Sequence, residues 1–380
     1  MVNVLLNGVT KEYDAFDASE QGGRQNALQG VSLDMIDGET LAVVGPSGCG
    51  KSTLLKIVAG LEFSTTGRIA FNDHDVTHID PQERGVGMVF QDYALYPSMQ
   101  GKGNLSYFFE VNKRSEDEAE QHMREVADVM GVGFEHLLGQ MPTTLSGGEQ
   151  QRVAIARCIV RRPTVFLMDE PICNLDAKLR ERTRVEMKRL LRRYEVTTLY
   201  VTHDQQEAIF MGDRIAVMRE GRVEQIGTFD DLYYSPINAF VAEFIGTPPM
   251  TQFVAEIQDQ DVVIQGQSGM LARWSLPQSL ISIATQHSNL LLGIRPEGWQ
   301  IGQDNNAGAT PLTVKRVERS PSTSSVVLHG MLGDSRVAVL TPHEPQDLGQ
   351  VHLLPDWEQI HLFDKATGQA IHSPGVPELF

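Results

Sequence analysis

The chain has 380 residues, more than one hydrophobic core usually organises, so a large domain followed by a smaller one is expected. A formal charge of -17 at pH 7 argues against a protein whose main task is gripping nucleic acid or anionic lipid, both of which select basic faces. No apolar run approaches the roughly 18 residues of a membrane span, and the opening MVNVLLNGVTKEY lacks a signal-peptide layout, so a cytoplasmic chain is expected. Cys49, Cys158 and Cys173 are scattered without metal-ligand spacing and read as reduced thiols.

Residues 2–13 alternate in the manner of a strand and lead into a polar stretch, 14–26, that contains Gly22 and Gly23 and reads as a long hairpin loop. Residues 27–36 return as a strand, Asp37-Gly38 makes the next turn, and Leu41, Ala42, Val43 and Val44 form an apolar run suited to a buried parallel strand. An antiparallel sheet therefore precedes an α/β core. Gly45, Pro46, Ser47, Gly48, Cys49, Gly50, Lys51, Ser52 and Thr53 then spell a Gly-x-x-x-x-Gly-Lys-Ser phosphate loop, and 52–59 has the apolar density of a packed helix. Further on, Ala119, Met123, Val126, Ala127 and Met130 recur at helical spacing until Gly131-Val132-Gly133 stops the helix, within a helical subdomain spanning about 92–162. Strands at 165–168 and 198–202 alternate with helices at 177–194 and 205–211, as a parallel α/β sheet requires. After Gly246-Thr247-Pro248-Pro249 the composition changes to short β-branched runs at 262–264, 290–294, 325–328 and 336–340, which suggest a small β-barrel or sandwich. The expected domains are 1–245 and 246–380.

In the phosphate loop the glycines let the backbone turn its N–H groups toward phosphate oxygens. Lys51 is placed to reach the β- and γ-phosphates of ATP, Ser52 offers a hydroxyl to Mg²⁺, and the following helix points its N-terminal amides at the charge. The apolar strand 165–168 ends in Asp169 and Glu170, which point to opposite faces and so cannot share a role. Asp169 suits Mg²⁺, directly or through water, and Glu170 suits orienting and deprotonating the attacking water.

The segment 145–157, LSGGEQQRVAIAR, taken with the phosphate loop, FLMDEP and VTHD, resembles the signature set of the ATP-binding cassette (ABC) ATPases. That resemblance implies a P-loop NTPase fold, with a RecA-like core, an antiparallel β subdomain and a helical subdomain. It further implies two facing cassettes, so that Ser146, Gly147 and Gly148 of one close over the γ-phosphate held by the other. It assigns Gln91 to a sensor between the Mg²⁺ site and the transport partner, His203 to a switch at the γ-phosphate, Asp176 to the loop that crosses the dimer interface, and Tyr13 to stacking on adenine. Glu149 stands where many members carry Gln, though Glu also occurs in the family; an added carboxylate near a triphosphate can weaken binding but is not expected to inactivate the site. Cys49, beside Lys51 and a helix N-terminus, is placed for a lowered thiol pKa, with inert packing as the alternative, and Cys173 is placed near the dimer seam.

PICNLDAKLR, FIGTPPM, the β-rich tail and LGIRPEG resemble, over essentially the whole chain, the maltose- and glycerol-phosphate-type carbohydrate importer ATPases. The resemblance implies an OB/TOBE-like tail and a second ATPase subunit, identical or related. It also implies two membrane permease subunits and an extracytoplasmic solute-binding protein, with the chain peripheral at the cytoplasmic face of the inner membrane. Importers of polyamine, sulfate, iron or molybdate carry similar tails, and a mainly regulatory cassette is the other alternative. Residues 98–120, SMQGKGNLSYFFEVNKRSEDEAE, depart from the usual phrase in the subdomain that meets the permease.

Overall fold

The computed structural model describes residues 2–14, 24–131, 133–266, 269–287, 289–302, 308–319, 325–345 and 349–376. Most of the expected hairpin loop, 15–23, and Val132 of the expected helix stop lie outside the described residues. The chain divides into two compact units, Met1–Ile226 and Gly227–Phe380.

In the first unit, β1 (Val4–Asp14) and β2 (Arg24–Met35) pair antiparallel, and β4 (Thr66–Phe71) and β5 (His74–Asp75) complete a sheet of order β2-β1-β4-β5. Between them run β3 (Thr40–Val44) and α1 (Lys51–Ala59). Then follow β6 (Val86–Val89), α2 (Gly101–Val111), α3 (Glu116–Met130), α4 (Phe134–Leu138), α5 (Gly147–Ile159), β7 (Val165–Asp169) and α6 (Ala177–Tyr194). The unit closes with β8 (Thr197–Val201), α7 (Gln205–Met211), β9 (Arg214–Arg219) and β10 (Arg222–Gly227). The second sheet has the order β10-β9-β3-β8-β7-β6, and its ladders from β9 to β6 are parallel. Every residue of β3 and β8 is buried, because helices cover both faces of such a sheet; that is why 41–44 reads as an unbroken apolar run, while Thr40, Thr197 and Thr198 are buried polar residues.

The helical subdomain gathers α2 to α5. In α3, Ser115 accepts the Glu118 N–H as N-cap, Glu116, Asp117 and Glu118 favour the positive helix end, and Ala119, Met123 and Val126 form the buried stripe. Helix α2 lies in the segment that departs from the expected phrase. A Cβ at Gly101 would sit 2.4 Å from the Leu137 carbonyl oxygen, so α2 and α4 approach to a distance that only glycine allows. Buried Asn104 ties the preceding loop to α2: its Oδ1 accepts the Tyr96 N–H at 2.8 Å and its amide donates to the carbonyls of Met99 and Gln100.

The second unit begins with α8 (Phe229–Tyr234) and α9 (Ala239–Phe244). The strands β11 (Thr251–Gln258), β12 (Asp261–Gly266) and β13 (Gly269–Ser275) follow, then α10 (Gln278–Ala284), β14 (Leu290–Ile294) and β15 (Trp299–Gly302). The chain continues through β16 (Thr310–Arg319), β17 (Val326–Leu332), β18 (Ser335–Thr341), β19 (Gln350–Pro355), β20 (Ile360–Asp364) and β21 (Ala370–His372). Two antiparallel sheets, β13-β12-β11-β14-β20-β21 and β15-β19-β16-β17-β18, close over one core in which Phe253, Trp274 and Leu292 meet Leu328, Val339 and Leu353. The tail therefore takes the expected β-barrel character. The compact division falls ahead of the composition change at 246, because Ala239 and Ala242 pack with Met250 and Phe363. Buried Arg295 adds hydrogen bonds to the carbonyls of Tyr233, Ala242 and Ile245 at the C-terminal ends of both short helices. Among the described residues no helix is long and apolar enough to cross a membrane.

Candidate functional site: a nucleotide cradle at the edge of the parallel sheet

The loop 45–50 carries the chain from β3 into α1 around the ammonium of Lys51, which is 7% exposed. Lys51 Nζ donates to the carbonyls of Gly45 at 2.8 Å and Pro46 at 3.1 Å, so the loop curls about the cation that a triphosphate would share. Two glycines permit that curl. A Cβ at Gly45 would lie 2.1 Å from the Met218 carbonyl oxygen, and Gly50 has φ 103 with its missing Cβ 2.5 Å from the Ala27 carbonyl oxygen. At the far end of α1, buried Arg84 donates to the carbonyls of Ile57 at 2.7 Å and Val58 at 2.9 Å, satisfying the last turn of the helix. The thiol of Cys49 is buried 3.8 Å from Lys51 Nζ, and burial pushes its pKa up, with Lys51 only opposing the rise. The lowered pKa expected for Cys49 is thus corrected in direction: desolvation outweighs the neighbouring charge.

Strand β7 delivers Asp169 and Glu170 beside this cradle. Ser52 Oγ donates to Asp169 Oδ1 at 3.4 Å. Burial, with the Glu170 charge beside it, raises the pKa of the Asp169 carboxyl. An oxygen-only pair, one hydroxyl and one carboxylate whose charge lacks full compensation, fits Mg²⁺, which commonly takes few protein ligands and completes its shell with phosphates and water. Glu170 adopts φ 46, a left-handed conformation unusual for a side chain of this size, while its N–H donates to the Val201 carbonyl at 2.9 Å. The sharp turn swings its carboxylate toward His203, whose Nδ1 lies 2.9 Å from Glu170 Oε2. Lys51, Ser52, Asp169, Glu170 and His203 are therefore assembled at the C-terminal edge of the parallel sheet, where ligands of open α/β folds gather.

The remaining candidates surround this centre. Gln91 follows β6; its carbonyl accepts from Asn174 Nδ2 at 2.9 Å and its side chain hydrogen-bonds the Cys173 thiol. Burial and the nearby Glu170 charge raise the pKa of that thiol. The phenol of Tyr13 donates to Glu62, Thr53 hydrogen-bonds the same hydroxyl, and Lys11 Nζ sits 5.0 Å from the ring centroid. Burial and the Glu62 carboxylate raise the Tyr13 pKa. One edge of this aromatic residue is thus fixed against the start of α1. Ser146, Gly147 and Gly148 begin α5, and a Cβ on either glycine would press on Leu175 or Leu179, so the signature packs against the segment carrying Asp176. Asp176 is exposed and caps α6 by accepting the Leu179 N–H at 3.0 Å. Glu149 Oε2 accepts from both the N–H and the hydroxyl of Ser146, at 2.8 and 2.7 Å, which lowers its pKa. Its charge is spent on capping its own helix.

One buried neighbour of the site escaped the sequence reading. Glu207 is 4% exposed, and it accepts from Tyr200 and Thr202 directly behind His203. The signal was there: in QQEAIFM, Ala208 and Met211 mark the inner face of α7, and Glu207 shares it.

With this geometry in view, similarity to known proteins identifies the family. The family model described as ABC transporter matches residues 28–173. The sn-glycerol-3-phosphate import ATP-binding protein UgpC of Salmonella typhimurium is 41% identical over 380 residues, covering 98% of this chain and 100% of the relative. The xylose/arabinose import ATP-binding protein XacK of Haloferax volcanii is 42% identical over 388 residues, covering 99% of this chain and 97% of the relative. Among solved structures, a dimeric ATP-binding cassette in a post-hydrolysis state, bound to ADP and Pi, covers 59% of this chain and 98% of its own, with 33% identity and a TM-score of 0.51. The chain belongs to the ABC transporter family, among its import ATP-binding proteins.

Proposed function

We propose that the chain hydrolyses ATP to ADP and phosphate to drive import of a carbohydrate or glycerol-phosphate-class solute. The observation that carries the reaction is the Glu170–His203 contact of 2.9 Å beside the Lys51 cradle. Lys51 and the loop amides hold the β- and γ-phosphates, and Ser52 and Asp169 hold Mg²⁺, which offsets phosphate charge when bound. Glu170 accepts a proton from water aimed at the γ-phosphorus, while His203 fixes the carboxylate and faces the departing phosphate. Gln91 reports the state of this site to the transport partner, and Tyr13 stacks on adenine. Two such chains, or this chain and a related one, face each other. Ser146, Gly147 and Gly148 of each then complete the other's nucleotide site, with Asp176 at the seam. The printed functions of the two relatives support the solute class.

Coupling runs through the helical subdomain. A cleft of about 620 Å³ is lined by Leu61, Phe90, Tyr96, Tyr107, Phe108 and Val111, with Tyr96 and Val111 exposed. Phe90 immediately precedes Gln91, so an apolar permease segment seated in this cleft would feel movement of the Gln91 loop. The complex comprises two membrane permeases fed by an extracytoplasmic solute-binding protein, with the chain peripheral at the cytoplasmic face of the inner membrane. Capture of the tagged chain from mild-detergent membranes tests this: recovery of two permeases supports it, and recovery of soluble partners alone contradicts it.

A further inference from the structure

The acidic side chain of Glu207 belongs to none of the roles above, yet it is among the few charged groups buried in the first unit. Its Oε1 accepts the Tyr200 hydroxyl and its Oε2 accepts Thr202 Oγ1 at 3.0 Å. Thr202 Oγ1 in turn accepts the Asp204 N–H at 3.1 Å. The chain Glu207–Thr202–Asp204 thus grips the backbone on either side of His203. On the other flank, Arg180 Nη2 donates to the carbonyls of Cys173 and Leu175, each at 3.0 Å, and fixes the segment that follows Glu170. The Arg180 guanidinium also favours the charged form of Glu207, against the desolvation that raises the Glu207 pKa.

We propose that Glu207 is a positioning residue, which through Thr202 holds the turn that carries His203 so that imidazole and the Glu170 carboxylate meet for ATP hydrolysis, while Arg180 separately fixes the segment that follows Glu170. Neither touches nucleotide. This role rests on the hydrolysis reading and adds to it. The chemistry explains why a carboxylate is kept in so dry a place. Two hydroxyl donors converge on Glu207, and a carboxylate accepts from both while leaving the Thr202 lone pair for Asp204. A glutamine amide has one acceptor oxygen and an NH₂, so it cannot accept both hydroxyl protons; with the NH₂ at Thr202, that hydroxyl loses its acceptor and the tie that holds the His203 turn is loosened. A neutral isostere would nevertheless be easier to bury, because an ionised carboxylate is disfavoured there. The charge is retained at a cost in stability for what it does to its neighbours.

The test is Glu207→Gln in the full-length chain, with kcat and KM for ATP and the thermal unfolding temperature measured on the same preparations. The expected kcat falls about 10- to 100-fold, the penalty of a reacting group misplaced by about an ångström. KM is expected to stay within about twofold, since the phosphate contacts are untouched, and the unfolding temperature to equal or exceed the parent's. Thr202→Val, which keeps the carboxylate and breaks only the link to Asp204, is expected to lower kcat by a smaller factor in the same way. Parent-like kcat in both variants overturns the proposal, and so does a Glu207→Gln protein that loses kcat, affinity and unfolding temperature together. Absence of turnover in the parent would instead contradict the hydrolysis reading itself.

Discussion

The parallel sheet of the first unit and the antiparallel sheets of the second use buried strands to opposite ends. Strands β3, β7 and β8 are buried almost throughout, and each ends at an edge where the chain turns and presents a functional side chain: Lys51 after Gly45, Asp169 and Glu170, and His203. In the second unit, β17 and β19 bury alternate residues, and their side chains fill a core between two sheets. At the nucleotide edge Glu170 and Gly50 take positive φ, while in the second unit Leu328, Val339 and Leu353 lie within extended strands and fill the core. A rigid, fully buried strand serves as a mount for reactive loops, and an alternating strand serves mainly as a wall.

That contrast predicts a double dissociation. Leu328→Ala empties a fully buried position in the second unit and should destabilise it by about 3 kcal/mol, seen in calorimetry, while ATP turnover per folded molecule is retained. Loss of turnover at temperatures where the variant is folded would break the separation. Lys51→Met should do the reverse. Removing a charged donor to phosphate should weaken ATP binding by about 2 kcal/mol, roughly thirty-fold by fluorescent-nucleotide titration, with no loss of unfolding temperature.

Much of the nucleotide edge was legible because its chemistry is local. The phosphate loop, the Asp169-Glu170 pair after an apolar strand, and the capped, periodic helices α3 and α6 each carry their signal within a few residues. Other features depend on distant partners. Helix α2 opens with Gly-Lys-Gly-Asn, a poor helical start whose first glycine is required by the Leu137 carbonyl. Desolvation of Cys49 comes from packing around the loop, which its sequence neighbours Lys51 and Gly50 do not reveal. Helices α8 and α9 join the second unit through Arg295, some fifty residues downstream. The bonds to α9 span 53 and 50 residues and the bond to Tyr233 of α8 spans 62, beyond the range of any local pattern.

Smaller effects sharpen the comparison. Ser115→Ala removes the N-cap of α3 and should cost about 1 kcal/mol, measurable as a lowered denaturation midpoint with catalysis intact. The smallest effect concerns pH. Burial raises the Glu207 pKa, so its contribution to folding is fully present below the ordinary glutamate value of about 4 and is lost as pH rises through the raised value. Glu207→Gln does not titrate, so its unfolding temperature relative to the parent should rise as pH is taken from about 4 toward neutrality. A gap that narrows over that range would mean the carboxylate is better solvated than its burial implies.

We propose Glu170, held by His203 at the end of β7, as the base that activates water in a cradle organised by Lys51. Phosphate release by Glu170→Gln, measured beside its ATP binding, tests this most directly. The predicted result is a loss of turnover of at least about a hundred-fold, with ATP still bound and an ATP-dependent pair of chains accumulating in light scattering. Parent-like phosphate release by the variant would contradict it.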